Sequence, residues 1–100
     1  MHCLTVTYPT PKDAGRFRSY YESTHVPLAK QLPGLRSCCF AYPAPLGPGA
    51  APFCIFHAYF ADEAAMMAAL QSAIGQKVAR TFRIIRLTVP HFFTSPSENN

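Results

Sequence analysis

Phe53, Ile55, His57 and Tyr59 alternate with Cys54, Phe56, Ala58 and Phe60, which predicts a strand that is largely apolar on both faces. A first strand is predicted from Cys3 to Tyr8 by β-branched Thr5, Val6 and Thr7, with Pro9 and Pro11 closing it. Leu35 to Tyr42 and Arg83 to Phe93 read as two more strands. Pro90 removes a ladder donor, so the last strand belongs at a sheet edge or carries a bulge. Elsewhere the period becomes helical. Asp13 is a fair N-cap for a helix starting near Ala14, in which Phe17, Tyr21, Thr24 and Leu28 recur on one face with Tyr20 beside them. Pro27 deletes a backbone donor inside that pattern, so the helix is expected to kink or restart there, directly after His25. The helix should stop at Leu32, before Pro33-Gly34. Asp62 caps a second helix holding Met66, Met67, Leu70 and Ile74, with an interruption expected at Gly75 and a last turn near Arg80. Between the second and third strands, Pro43 to Pro52 is a Pro/Gly/Ala loop.

The resulting order is βαββαβ, an α+β ferredoxin-like arrangement with a four-stranded antiparallel sheet. Residues 1–94 form the one expected domain, and 95–100 a polar, loose tail. Two helices can roof only one face of the sheet. The other face, also apolar, calls for a second copy packed sheet to sheet, which would make a dimeric α/β barrel. The space between two such sheets is the expected site for a small apolar or aromatic ligand.

Composition narrows the function classes. Net charge is +4, but the nine Lys and Arg residues are scattered, so no clustered phosphate-binding patch points to nucleic acid. No apolar run is long enough to span a bilayer, and Met1 to Thr5 does not read as a signal peptide. The four cysteines form no CxxC pair and read as small buried hydrophobes in a reducing cytoplasm. The four histidines are dispersed, with no pair at metal-ligand spacing on a helix. A haem, which needs one axial histidine, stays open on this count. Gly47-Pro48-Gly49 is a proline-locked turn rather than a phosphate cradle, so nicotinamide and flavin sites are unsupported and no cofactor is expected.

The segment Tyr20-Tyr21-Glu22-Ser23-Thr24-His25-Val26-Pro27-Leu28-Ala29, followed by Leu32-Pro33-Gly34-Leu35, resembles the EthD signature. Tyr8-Pro9 at the end of the first strand and Tyr59-Phe60-Ala61-Asp62 at the end of the third fit it too. The likeness runs to about Gln76 and then weakens, with Arg80-Thr81-Phe82 where relatives often carry an acidic residue and a Pro-x-Phe element. The resemblance implies a homodimeric α/β barrel of small-molecule metabolism. The family takes its name from ethyl tert-butyl ether degradation, and its members are often labelled oxidoreductases. The wider superfamily includes cofactor-free monooxygenases, polyketide cyclases and haem-degrading enzymes, among which fold alone does not choose.

His25 is the leading chemical candidate, because an imidazole gives and takes protons near neutral pH. Tyr21 lies one turn earlier, and Tyr21 or Tyr20 could assist it. The competing reading is a histidine that only ties down the kink. His57 lies among Phe53, Ile55 and Tyr59. If their face looks into the dimer cavity, these four are ligand contacts; if it packs under the helices, His57 is a satisfied core histidine, the reading the pattern favours. An enzyme acting on a compact apolar substrate and a non-catalytic ligand-binding or accessory subunit both fit these residues.

Overall fold

The computed structural model describes residues 1–84 and 91–96. β1 (His2–Tyr8) lies inside the sheet, antiparallel to β3 (Cys54–Phe60) on one side and to β4 (His91–Pro96) on the other. β2 (Ser37–Ala41) pairs with the free side of β3, giving the order β2-β3-β1-β4. This is the ferredoxin-like α+β architecture the chain's periodicities point to.

Each helical crossover is broken into two pieces. The first starts at α1 (Ala14–Tyr20), where the Asp13 carboxylate accepts the Arg16 N–H at 3.0 Å. A π-helical turn (Tyr21–His25) follows and leads into α2 (Val26–Ala29). The Val26 N–H reaches back five residues to the Tyr21 carbonyl. Pro27, next in line, has no N–H to give to the turn before it, and the widened turn absorbs that loss without a sharp break. The extra residue in the turn changes which side chains are buried. Thr24, expected on the buried face, is exposed; Phe17, Tyr21, His25 and Ala29, four apart, are buried instead. The helix ends at Ala29, short of the expected Leu32, because the Leu32 N–H closes a tighter turn on the Ala29 carbonyl at 3.1 Å. Gly34, at φ +77°, then reverses the chain.

The second crossover comprises α3 (Glu63–Gln71), capped by Asp62 on the Ala65 N–H at 2.7 Å, and α4 (Ala73–Ile84). The break falls at Ser72, not at Gly75. The Ser72 hydroxyl donates to the Ala69 carbonyl at 2.6 Å and accepts the Gly75 N–H at 3.0 Å, closing one helix and opening the next. Gly75 serves a different purpose. A Cβ there would stand 2.3 Å from the Ala69 carbonyl oxygen and 2.4 Å from that of Leu70. Gly75→Ala is therefore expected to cost about 1–3 kcal/mol in a urea melt, as backbone cannot yield as a side chain does.

α4 runs to Ile84, beyond the expected Arg80, and takes up Arg83 and Ile84, which the alternation assigned to the last strand. β4 starts only at His91, and it continues to Pro96, past the expected domain end at residue 94. Pro90 and the rest of 85–90, with 97–100 of the expected tail, lie outside the described residues.

The helices cover the face of β3 carrying Cys54, Phe56, Ala58 and Phe60, all buried. Ile55, His57 and Tyr59 stand half-buried on the opposite face. His57 is thus not a core residue under the helices. Phe53 does not share its face either: it precedes the strand and meets Phe17 of α1 edge-on at 5.4 Å. Cys3 and Cys54 are buried as expected, but Cys39 is exposed, because adjacent Cys38 and Cys39 point to opposite sides of β2.

Candidate functional site

Among the described residues, His25 and Thr94 are the polar side chains on the wall of a cavity of about 380 Å³. The cavity lies between the helical layer and the sheet, not on the open sheet face. Ala29 of α2 and Met66 of α3 bound it from above, and Leu4 and Phe56 from the sheet below. Its size suits a small organic molecule.

His25 is 1% exposed and is carried by the π-helical turn. Its ring stacks on Tyr21, with centroids 5.2 Å apart and planes 19° apart. Nδ1 is hydrogen-bonded to the hydroxyl of Thr81 in α4. That hydroxyl has one proton, and donates it to the Val78 carbonyl at 2.6 Å. Nδ1 must then be the donor to Thr81, which leaves the lone pair of the neutral ring on Nε2. Burial pushes the imidazole pKa down to about 4, so the ring is uncharged at neutral pH. Thr81 was not among the residues singled out from sequence. Its signal is a hydroxyl on the apolar stripe of α4, three residues after Val78.

Tyr21 and Tyr20 do not reach the cavity wall. Tyr21 is fully buried, and its hydroxyl lies near those of Tyr8 and the Cys54 thiol without a well-formed hydrogen bond. Burial, then the neighbouring Tyr8 and Cys54, hold that phenol far above the ordinary range. Burial likewise pushes the Cys54 thiol up to about 11. Tyr21 therefore supports the His25 ring from behind. Tyr20 is half-buried against the core.

The expected ligand contacts stand elsewhere. His57 Nδ1 is 3.0 Å from the Thr5 hydroxyl and 3.6 Å from the Cys3 sulfur, and its ring lies 6.2 Å from that of Tyr59, all on the open sheet face with Ile55. Phe53 packs against Tyr42 at 5.5 Å, and the Arg18 guanidinium lies over both rings. The sheet separates His25 from His57, Tyr59 and Ile55. Among the described residues, no three His, Cys, Asp or Glu side chains converge as a metal site. No described helix is long and apolar enough to cross a membrane.

A family model described as the EthD domain matches residues 10–81, from the approach to α1 through Thr81. The chain belongs to the EthD family. No curated protein matches it. Among solved structures, this EthD chain is similar to an ethyl tert-butyl ether degradation (EthD) family protein from Bacillus halodurans C-125. The two are 22% identical, with 98% of this chain and 99% of that one covered and a TM-score of 0.85. It is also similar to SnoaB, a cofactor-independent oxygenase from Streptomyces nogalater, at 14% identity, 99% and 94% coverage and a TM-score of 0.67. A dimeric ferredoxin-like protein of unknown function from Thermobifida fusca YX is 10% identical, with 94% and 88% coverage and a TM-score of 0.71. At these identities the likeness establishes the ferredoxin-like fold of the EthD chain. The matched span includes both partners of the His25–Thr81 pair.

Proposed function

We propose that this EthD-family protein binds a small apolar or aromatic molecule in the cavity beneath its helices, where His25 works as an acid–base group without a bound cofactor. One observation carries the reading: a buried, neutral imidazole with Nδ1 committed to Thr81, on the wall of a largely apolar cavity. In that state Nε2 accepts a proton from a phenolic O–H or from a carbon next to a carbonyl. A buried imidazolium is costly alone but is compensated by the substrate anion formed with it. Such an electron-rich anion is what a cofactor-free oxygenation by dioxygen requires, and SnoaB's description as a cofactor-independent oxygenase supports this direction. Tyr21 and Tyr20 enter only by holding the ring and the helix.

The low pKa of His25 favours a second reading, in which the ring stays neutral, accepts a hydrogen bond and transfers nothing, as in an accessory binding subunit. Two probes separate them. The chain has no Trp, so 2-naphthol fluorescence can be followed directly. Wild type is expected to bind it, and Ala29→Phe, which fills the cavity, to lose binding with its circular dichroism unchanged. Exchange of the activated C–H of 2-tetralone in D2O reports proton transfer. His25→Gln is expected to slow it by about 10²–10⁴-fold. Binding without any exchange above buffer would leave only the second reading.

The open sheet face is proposed as the contact with a second copy, placing Ile55, His57 and Tyr59 in a homodimer interface. Support comes from the half-buried aromatic and aliphatic groups there and from the dimeric relative. A monomer by sedimentation at micromolar concentration would remove this assignment. Free thiols at all four cysteines support a reducing, cytoplasmic setting.

A further inference from the structure

Thr94 lies on β4, opposite Leu4 of β1, and both line the cavity. Two residues before Leu4 on the same strand face is His2, itself a buried polar residue. His2 Nε2 is hydrogen-bonded to the Thr94 hydroxyl. The Thr94 hydroxyl in turn donates to the Met66 sulfur at 3.6 Å. With its one proton given to Met66, Thr94 must be the acceptor from the His2 Nε2–H. Its proton is therefore spent on a thioether, a weak acceptor on a flexible side chain. A ligand oxygen would take that proton at little cost.

We infer that Thr94, oriented by His2, is a second polar contact of the cavity and selects ligands carrying an acceptor oxygen remote from the group that meets His25. This rests on the cavity being the binding site, and it names the ligand class: small aromatic or alicyclic molecules with an acidic O–H or C–H at one end and a carbonyl at the other. His25 belongs to the helical layer and Thr94 to the sheet, so one molecule meets both only by lying across the cavity between the layers. Thr94 is the binding residue. His2 is a positioning residue that acts through it. Thr94 is itself exposed at the edge of the cavity, so a ligand that covers it displaces water; a carbonyl oxygen replaces that partner, whereas the isostere that lacks it leaves the hydroxyl with the Met66 sulfur alone.

The test compares 6-acetyl-2-naphthol with 6-isopropenyl-2-naphthol, which replaces the carbonyl oxygen by a methylene of similar shape. Wild type is expected to favour the acetyl compound by about fivefold, the worth of one neutral hydrogen bond. Thr94→Val, which keeps the shape and removes the hydroxyl, is expected to abolish that preference. His2→Leu is expected to reduce the preference, and His2→Gln, whose amide N–H can reach Thr94, to restore it. A merely structural His2 would change both probes alike. If both probes bind, Ala29→Phe excludes both, and Thr94→Val keeps the preference, the Thr94 assignment is wrong while the cavity stands. If neither probe nor 2-naphthol binds wild type, the cavity reading falls and the assignment with it.

Discussion

Tyr21→Ala is expected to lower the unfolding free energy by about 3–5 kcal/mol, enough to remove much of the stability of a domain this size. Tyr21 is 0% exposed and touches aromatic rings on four sides. Phe17 and His25 stack on it at 5.3 and 5.2 Å, while Tyr8 and Phe40 meet it edge-on at 5.3 and 5.6 Å. Truncation opens a hole between sheet and helix and leaves the His25 ring without its support. The midpoint of a thermal melt should fall by about 4–8 °C per kcal/mol lost. Tyr21→Phe is the informative partner. It keeps the ring and deletes a buried hydroxyl that lacks a good hydrogen bond, so stability should stay within about 1 kcal/mol of wild type. Exchange of 2-tetralone should be unchanged too. A large drop in exchange by a folded Tyr21→Phe protein would return the phenol to the chemistry.

The second large effect is acid sensitivity. His25 titrates at 6.5 when unfolded but only at about 4 in its buried site. Between those values the unfolded chain binds a proton that the folded one refuses, so stability falls as pH is lowered. The loss is about 1.4 kcal/mol per pH unit and sums to about 3 kcal/mol across the window from about pH 6.5 to about pH 4. Above about pH 6.5 this contribution is fully present. Urea melts at half-unit steps through the window measure it, and His25→Gln should flatten the slope there. Identical slopes in the two proteins would show that His25 is not held neutral by burial. A ligand anion formed beside the ring would shift the titration upward, which makes the same melts with bound 2-naphthol a check on the proposed chemistry.

His25 shows how far local pattern reaches. An irregularity at Pro27 and the histidine beside it were legible because proline's missing donor acts within one turn. The buried register was not. A helix can absorb a proline by kinking, stopping or widening, and the widened turn exchanged Thr24 for His25 on the inner face. Ser72, rather than Gly75, divides α3 from α4 for a related reason: its hydroxyl serves two helix ends at once, and Gly75 is needed for a close approach that exists only after the helices are placed.

The site itself was half legible. His25 stands on the cavity wall, whereas Thr81, its partner, is 56 residues away along the chain. Tyr20 and Tyr21 hold the helix without reaching the cavity, and His57, Tyr59 and Ile55 occupy the far side of the sheet.

By itself, the order of residues determined the strand and helix succession, the Asp13 and Asp62 caps and the ferredoxin-like class. These follow from periods of 2 and 3.6 residues and from hydrogen bonds that close within four residues. Only the tertiary structure decided which apolar face of β3 the helices cover, and therefore that the cavity lies under the helices and not on the open sheet. Alternation shows that a strand has two faces; the packing of distant segments chooses between them when both are apolar.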